Sequence, residues 1–204
     1  MRIPTEADEG PKHFTPEDFQ KLLVKIQEEW LKEVVVFAVL TGLRRGEVLN
    51  LRWRNVDLPK RLLHVQSSPT FKTKQGKRRT ISVNKIAAQI LAPRAAKALD
   101  DFAFTLNGRQ ILDTWAARLL KRYVVDAKLS DRRLHFHSLR HTFASWLVQC
   151  GTSLYEVQKL LGHSNPRVTQ VYAHLSPSDL HDTVDRLSVQ YQPSQQVTKK
   201  KEAG

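Results

Sequence analysis

Between His137 and Tyr172 the chain is cut by helix stop and start signals spaced so closely that no long helix or strand fits among them. Leu139, Phe143, Trp146, Leu147 and Cys150 recur at helical spacing, and Gly151 offers the left-handed backbone that ends a helix. Ser153 and Glu156 then make a capping box, each side chain satisfying a backbone N–H near the other. The helix they open runs through Val157, Leu160 and Leu161 to Gly162, and Asn165-Pro166 starts the next, which is expected to carry Tyr172. The pattern predicts short helices joined by sharp reversals, with His163 in a turn, Val168 and Leu175 at core positions and Cys150 as a small buried hydrophobe.

Upstream the signals alternate between helix and strand. Thr15 as cap, Pro16 at the first helical position and a Phe14–Phe19 staple open a helix whose apolar stripe takes in Leu22, Leu23, Ile26 and Trp30. A denser apolar run through Val39 reads as a buried second helix that closes at Thr41-Gly42, followed by a helical turn from Arg44 to Leu51. Leu62 to Val65 and Thr80 to Val83 have β character and flank a polar connection from Lys72 to Arg79. Helical spacing returns at Ile86 to Leu91 and Ile111 to Val125, and Ser176-Pro177-Ser178-Asp179 begins a last amphipathic helix through Leu180, Val184 and Leu187. The expected class is α+β, mainly helical, with a small antiparallel sheet of about three strands carrying a basic hairpin. Residues 1–13 are expected to be flexible, 14–190 to form one domain, and 191–204 to be a disordered basic tail.

The formal net charge of +13 points to a nucleic acid or another anionic surface as partner. The longest apolar run, Val34 to Leu40, is far short of a bilayer span, and no signal-peptide pattern is visible, so the expected location is the cytoplasm, at the nucleoid, with no membrane partner. A single cysteine rules out an internal disulfide or a thiolate-rich zinc site. His137 and His141 lack the intervening glutamate of a zinc protease motif, and clustered carboxylates for two-metal chemistry are missing, so neither a cofactor nor a metal is expected.

Six side chains have types suited to attack on a phosphodiester. His137 and Arg140, three apart at a helix start, share one face beside backbone N–H groups that favour a phosphate oxygen. His163 is placed to donate a hydrogen bond to the same anion. Arg44 follows a helix break, with Glu47 three residues on to hold its guanidinium. Arg44 and Arg140 can clamp one phosphate, since arginine stays charged and binds phosphate oxygens bidentately. Lys74 is the choice for protonating the leaving sugar oxygen, with Lys72 and Lys77 as rivals, and Tyr172 is the candidate nucleophile. Each has an ordinary alternative: a capping histidine, a surface arginine, a solvated Arg44–Glu47 pair, a core tyrosine. Arg45, Lys72, Lys77 and Arg78 are added as DNA-contact candidates because the hairpin is so basic.

The assembled segments resemble the catalytic domain of the tyrosine recombinases, the phage integrase family, over roughly Phe14 to Leu187. TGLRRGEVLNLRW is similar to the family's first arginine box, KQGKRRTISV to its lysine hairpin, and HSLRHTFASWLVQCGTSLYEVQKLLGHSNPRVTQVYAHL to its second box. The resemblance implies the tyrosine recombinase catalytic-domain fold and a phosphate-activating set of Arg44, Lys74, His137, Arg140 and His163, with Tyr172 as nucleophile and Glu47 in support. It further implies a 3′-phosphotyrosyl intermediate and a free 5′-hydroxyl on double-stranded DNA, and a tetramer on that DNA in which the C-terminal helix packs onto a neighbour. No small-molecule ligand is expected. Ser138 stands where many relatives have aspartate. Few residues precede the domain that here resembles the family's, so DNA binding by this chain alone is expected to be weak and salt-dependent. Rival readings are a type IB topoisomerase, which shares the first chemical step, and a DNA-binding regulator that has lost catalysis.

Overall fold

The computed structural model describes residues 10–67, 78–98 and 101–176. Helix α1 (Pro16–Lys25) starts where its caps place it: the Thr15 hydroxyl accepts the Asp18 N–H at 3.2 Å, and the Phe14 and Phe19 rings meet edge-on, 6.2 Å between centroids. Ile26 then turns extended, so Trp30 belongs to α2 (Glu29–Thr41) rather than to the end of one long stripe. Helix α2 buries Leu31, Val34, Val35, Phe37 and Ala38 completely, which makes it the axis of the core. Its β-branched residues are indifferent helix formers; burial of an apolar side chain, about 1.5–3 kcal/mol each, outweighs that preference.

Helix α6 (Phe136–Gln149) packs against α2, and its Phe143 ring meets Gly42, the left-handed C-cap of α2 with φ 63°. A Cβ there would sit 2.4 Å from the Phe143 ring, so both the turn and the contact require glycine. The N-terminal segment is tied to the same helix, since the Phe14 N–H donates to Thr142 Oγ1 at 2.9 Å and the Trp146 indole donates to the Phe14 carbonyl at 3.1 Å.

Between α3 (Arg45–Leu49) and α4 (Lys85–Ala96) lies a three-stranded antiparallel sheet in the order β1 (Val56–Asp57), β2 (Leu62–Val65), β3 (Arg79–Ser82). Leu63 pairs with Ile81, and both face the core, while Val65 pairs with Arg79 at the end where the basic hairpin departs. A second hairpin, β4 (Thr105–Leu106) and β5 (Arg109–Gln110), turns on Asn107-Gly108, both with positive φ. Helix α5 (Asp113–Asp126) closes the other side of α1 and α6. Past α6 come α7 (Leu154–Leu161), opened by the Ser153–Glu156 box, and the four-residue α8 (Arg167–Gln170). The mainly helical α+β expectation therefore holds, and no helix among the described residues is long and apolar enough to cross a membrane.

Three local expectations are corrected. Cys150 is exposed, because it caps the C-terminus of α6 just past the last core residue of that helix. Val168 is also exposed, at 49%, since α8 is too short to turn that face onto the core. Tyr172 is not carried in a helix: α8 ends at Gln170, and Tyr172 caps a 3-10 turn spanning Ala173–Leu175. The helix expected from Ser176, the tail, most of the N-terminal segment and the hairpin lysines Lys72, Lys74 and Lys77 lie outside the described residues.

Candidate active site

Arg140 is the centre of the site, and backbone geometry puts it there. Its side chain leaves α6 toward the C-terminal ends of two other helices and is only 2% exposed. Nη1 donates to the Gly42 carbonyl at 2.7 Å and Nη2 to the Leu161 carbonyl at 2.6 Å. Those carbonyls belong to helix ends, where acceptors are unsatisfied and the peptide dipoles are negative, so two helix ends hold a buried cation that no carboxylate among the described residues is bonded to. Burial, then the charge of Arg44, pulls the Arg140 guanidinium down to about 9, against the upward pull of Glu47, with smaller contributions from Arg79 downward and Tyr172 upward. It is charged at neutral pH, in surroundings that favour an anion.

Arg44 precedes α3 directly. The Glu47 carboxylate accepts its backbone N–H at 2.9 Å and its Nη1 at 3.1 Å. The expected pair is thus present, but it is not a solvated one: the Glu47 side chain is 1% exposed and is mainly engaged by Arg79, through Nη1 at 2.9 Å and Nη2 at 2.7 Å. Burial works to raise the Glu47 carboxyl; the bonds and charge of Arg79, then the backbone N–H and charge of Arg44, outweigh it and hold the group below the usual carboxylate range. Three guanidinium groups around one carboxylate leave an excess positive charge with no protein counter-ion bonded to it among the described residues.

His163 follows Gly162, the left-handed cap of α7, and its Nδ1 lies 3.0 Å from the buried Thr169 hydroxyl. Burial first, then Arg140, Arg44, Arg79 and His137, push its imidazole down to about 4, so it is neutral at pH 7. His137 is exposed on the first turn of α6, its ring edge-on to His141 at 4.7 Å. Ser138, buried beneath it, accepts the His135 N–H at 3.2 Å, a helix-capping task that serine and aspartate both perform.

Tyr172 is buried to 2% among Ala144, Val148, Val157 and Leu161, and its phenol oxygen shares a hydrogen bond with His141 Nδ1 at 2.6 Å. Burial pushes the phenol up to about 12, against the pull of Arg140, and drives His141 down to about 3, with help from His137, His135 and Arg140. A protonated phenol therefore rests on a neutral imidazole. Arg44, Arg140, His137, His163 and Tyr172 share one neighbourhood, each acting electrostatically on another. Arg45 turns away to an ion pair with Asp113, whereas Arg78 stands by the outer sheet surface with Arg54 and His64. Sequence reasoning missed Arg79 and His141; Arg79 was hidden in a run of like charges, and His141 in a helix whose other residues drew the argument.

The family model described as the phage integrase family matches residues 12–179. A tyrosine recombinase of Pseudothermotoga lettingae is 30% identical over 199 residues, covering 92% of this chain and 64% of its own length. The catalytic domain of bacteriophage HP1 integrase aligns with a TM-score of 0.64 at 24% identity, over 88% of this chain and 98% of that one. A XerH site-specific recombinase bound to its difH substrate after cleavage aligns with a TM-score of 0.67 at 20% identity, over 91% of this chain and 56% of that one. The chain spans between 48% and 66% of the length of the first curated relatives it matches. Matched by that family model over residues 12–179, the chain belongs to the phage integrase family, the tyrosine recombinases.

Proposed function

We propose that this chain is the catalytic domain of a site-specific DNA recombinase or integrase that cuts and rejoins DNA through a covalent bond from Tyr172 to a 3′-phosphate. The observation that carries this reading is the surplus of guanidinium charge around Arg44 and Arg140 beside a tyrosine. A scissile phosphate in that basin would have its non-bridging oxygens neutralised by both arginines, and most strongly as charge builds up in the five-coordinate transition state. His163, with Nδ1 on Thr169, offers Nε2 to the same oxygens. The phenol oxygen attacks phosphorus as its proton passes to a neighbouring histidine, the bond to the 5′ oxygen breaks, and Lys74 supplies the proton that makes the 5′-hydroxyl. Attack by a hydroxyl from a partner strand reverses these steps on new DNA, with the bond energy stored in the phosphotyrosyl link. His137 stands at the mouth of the basin, a further donor to the phosphate.

In this reading Tyr172 first leaves His141, so the described arrangement is a resting state. The charge of +13 and the difH substrate held by XerH support double-stranded DNA as partner, and with it we propose a tetramer of protomers on two duplexes and residence at the nucleoid. Nicked suicide duplexes with a randomised core, incubated with the chain, should yield a covalent protein–DNA adduct that Tyr172→Phe abolishes. An adduct formed equally by both proteins would remove Tyr172 from its role.

A further inference from the structure

Arg79 opens β3, and two parts of the site meet on its side chain. Its two Nη groups take both oxygens of Glu47, the carboxylate that holds Arg44. Its Cδ lies so close to Gly162, the residue before His163, that a Cβ built there would fall 2.5 Å from it.

The charges give this meeting point a purpose. Glu47 positions Arg44, but a carboxylate bonded to that arginine alone would cancel the very charge a phosphate needs. With Arg79 bidentate on Glu47, the trio keeps one net positive charge and Arg44 stays held without being quenched. The arrangement is a poor device for stability alone: Arg79 Nε is buried with no hydrogen-bond partner, and apolar residues of similar volume fill such a space at least as favourably.

Resting on the recombinase reading above, we propose that Arg79 is a positioning residue: it takes up the charge of Glu47 so that Arg44 is oriented yet available to the scissile phosphate, and it fixes the turn before His163 on the same anchor. The test is the rate of covalent adduct formation by the full chain on saturating suicide DNA, with thermal melting and DNA affinity measured alongside. Arg79→Ala should slow adduct formation by about 10- to 100-fold, somewhat less than losing a transition-state donor outright, with DNA affinity changed by less than about 3-fold. The deciding variant is Glu47→Gln combined with Arg79→Ala. Glutamine still accepts the Arg44 N–H but carries no charge, so the double variant should be faster than Arg79→Ala by about 3-fold or more, a reversal of ordinary additive damage. A double variant as slow as or slower than the single one overturns the proposal, because a merely structural role makes two losses worse than one. Should Arg79→Ala not fold, Arg79→Gln with and without Glu47→Gln carries the same comparison. A wild-type chain that forms no adduct overturns the recombinase reading itself, and this proposal with it.

Discussion

The arginine basin and the tyrosine segment are neighbours built on opposite physical plans. Around Arg140 and Glu47 the charged groups are buried and bonded to helix ends or to one another, each with more than one strong hydrogen bond. From His163 to Ser176 the chain has only the four-residue α8 and a 3-10 turn, exposes Val168 and Val171, and holds its phenol by the single bond to His141. On the reading proposed above, electrostatic stabilisation is effective when its dipoles are fixed before the reaction, whereas Tyr172 has to travel to reach a phosphate. The molecule separates the two requirements by placing them on different segments.

The largest expected effect comes from breaking the rigid half. Arg140→Ala should slow adduct formation by ~10²-fold or more and, by leaving two buried carbonyls unsatisfied, lower stability in urea by ~2–4 kcal/mol. Unchanged cleavage would show that the phosphate binds elsewhere. Next comes Gly42→Ala, which forces a side chain into left-handed backbone against the Phe143 ring and should cost ~1–3 kcal/mol of stability by denaturant unfolding. An effect under ~0.5 kcal/mol would mean that the α2–α6 junction is softer than described.

The seat of the tyrosine, between α6 and the segment from His163, is probed by acid. His141 and His163 have folded values near 3 and 4, below the ordinary 6.5, so the unfolded chain binds protons more readily than the folded one. Stability should therefore be intact above pH 6.5 and decline as pH falls through the window down to 3–4, and His141→Gln should flatten part of that slope. Urea melts at several pH values with no such slope would contradict the burial of these rings. Amide hydrogen exchange sharpens the comparison further: amides of 163–176 should exchange well before those of α2 and α6, and equal protection would erase the distinction. The smallest effect belongs to Arg45→Ala, which removes a half-exposed pair with Asp113 and should change stability by less than ~0.5 kcal/mol.

Much of this was legible because it is local. Thr15, Gly42, the Ser153–Glu156 box and Gly162 act within a few residues of themselves, so the helix boundaries around the site could be read directly. Arg44 with Glu47 was legible for the same reason. What was not legible depends on distant pairing: the Arg79–Glu47 fork closes only once β3 is in register beside α3, and the two carbonyls that hold Arg140 come from positions 98 and 21 residues away. The β4–β5 hairpin escaped because strands of two residues leave no alternation to detect, although Asn107-Gly108 was a turn signal in plain view. Tyr172 was expected in a helix since Asn165-Pro166 is a sound start; nothing nearby announced that the helix would stop after one turn.

The acceptors that secure Arg140 are peptide oxygens, and this shapes how the site can change over generations. A side-chain partner disappears with one codon, but the oxygens at positions 42 and 161 remain under any replacement that lets α2 and α7 terminate where they do. The anchor is thus written into the path of the main chain, leaving the surrounding residues freer to change without loosening the hold on Arg140.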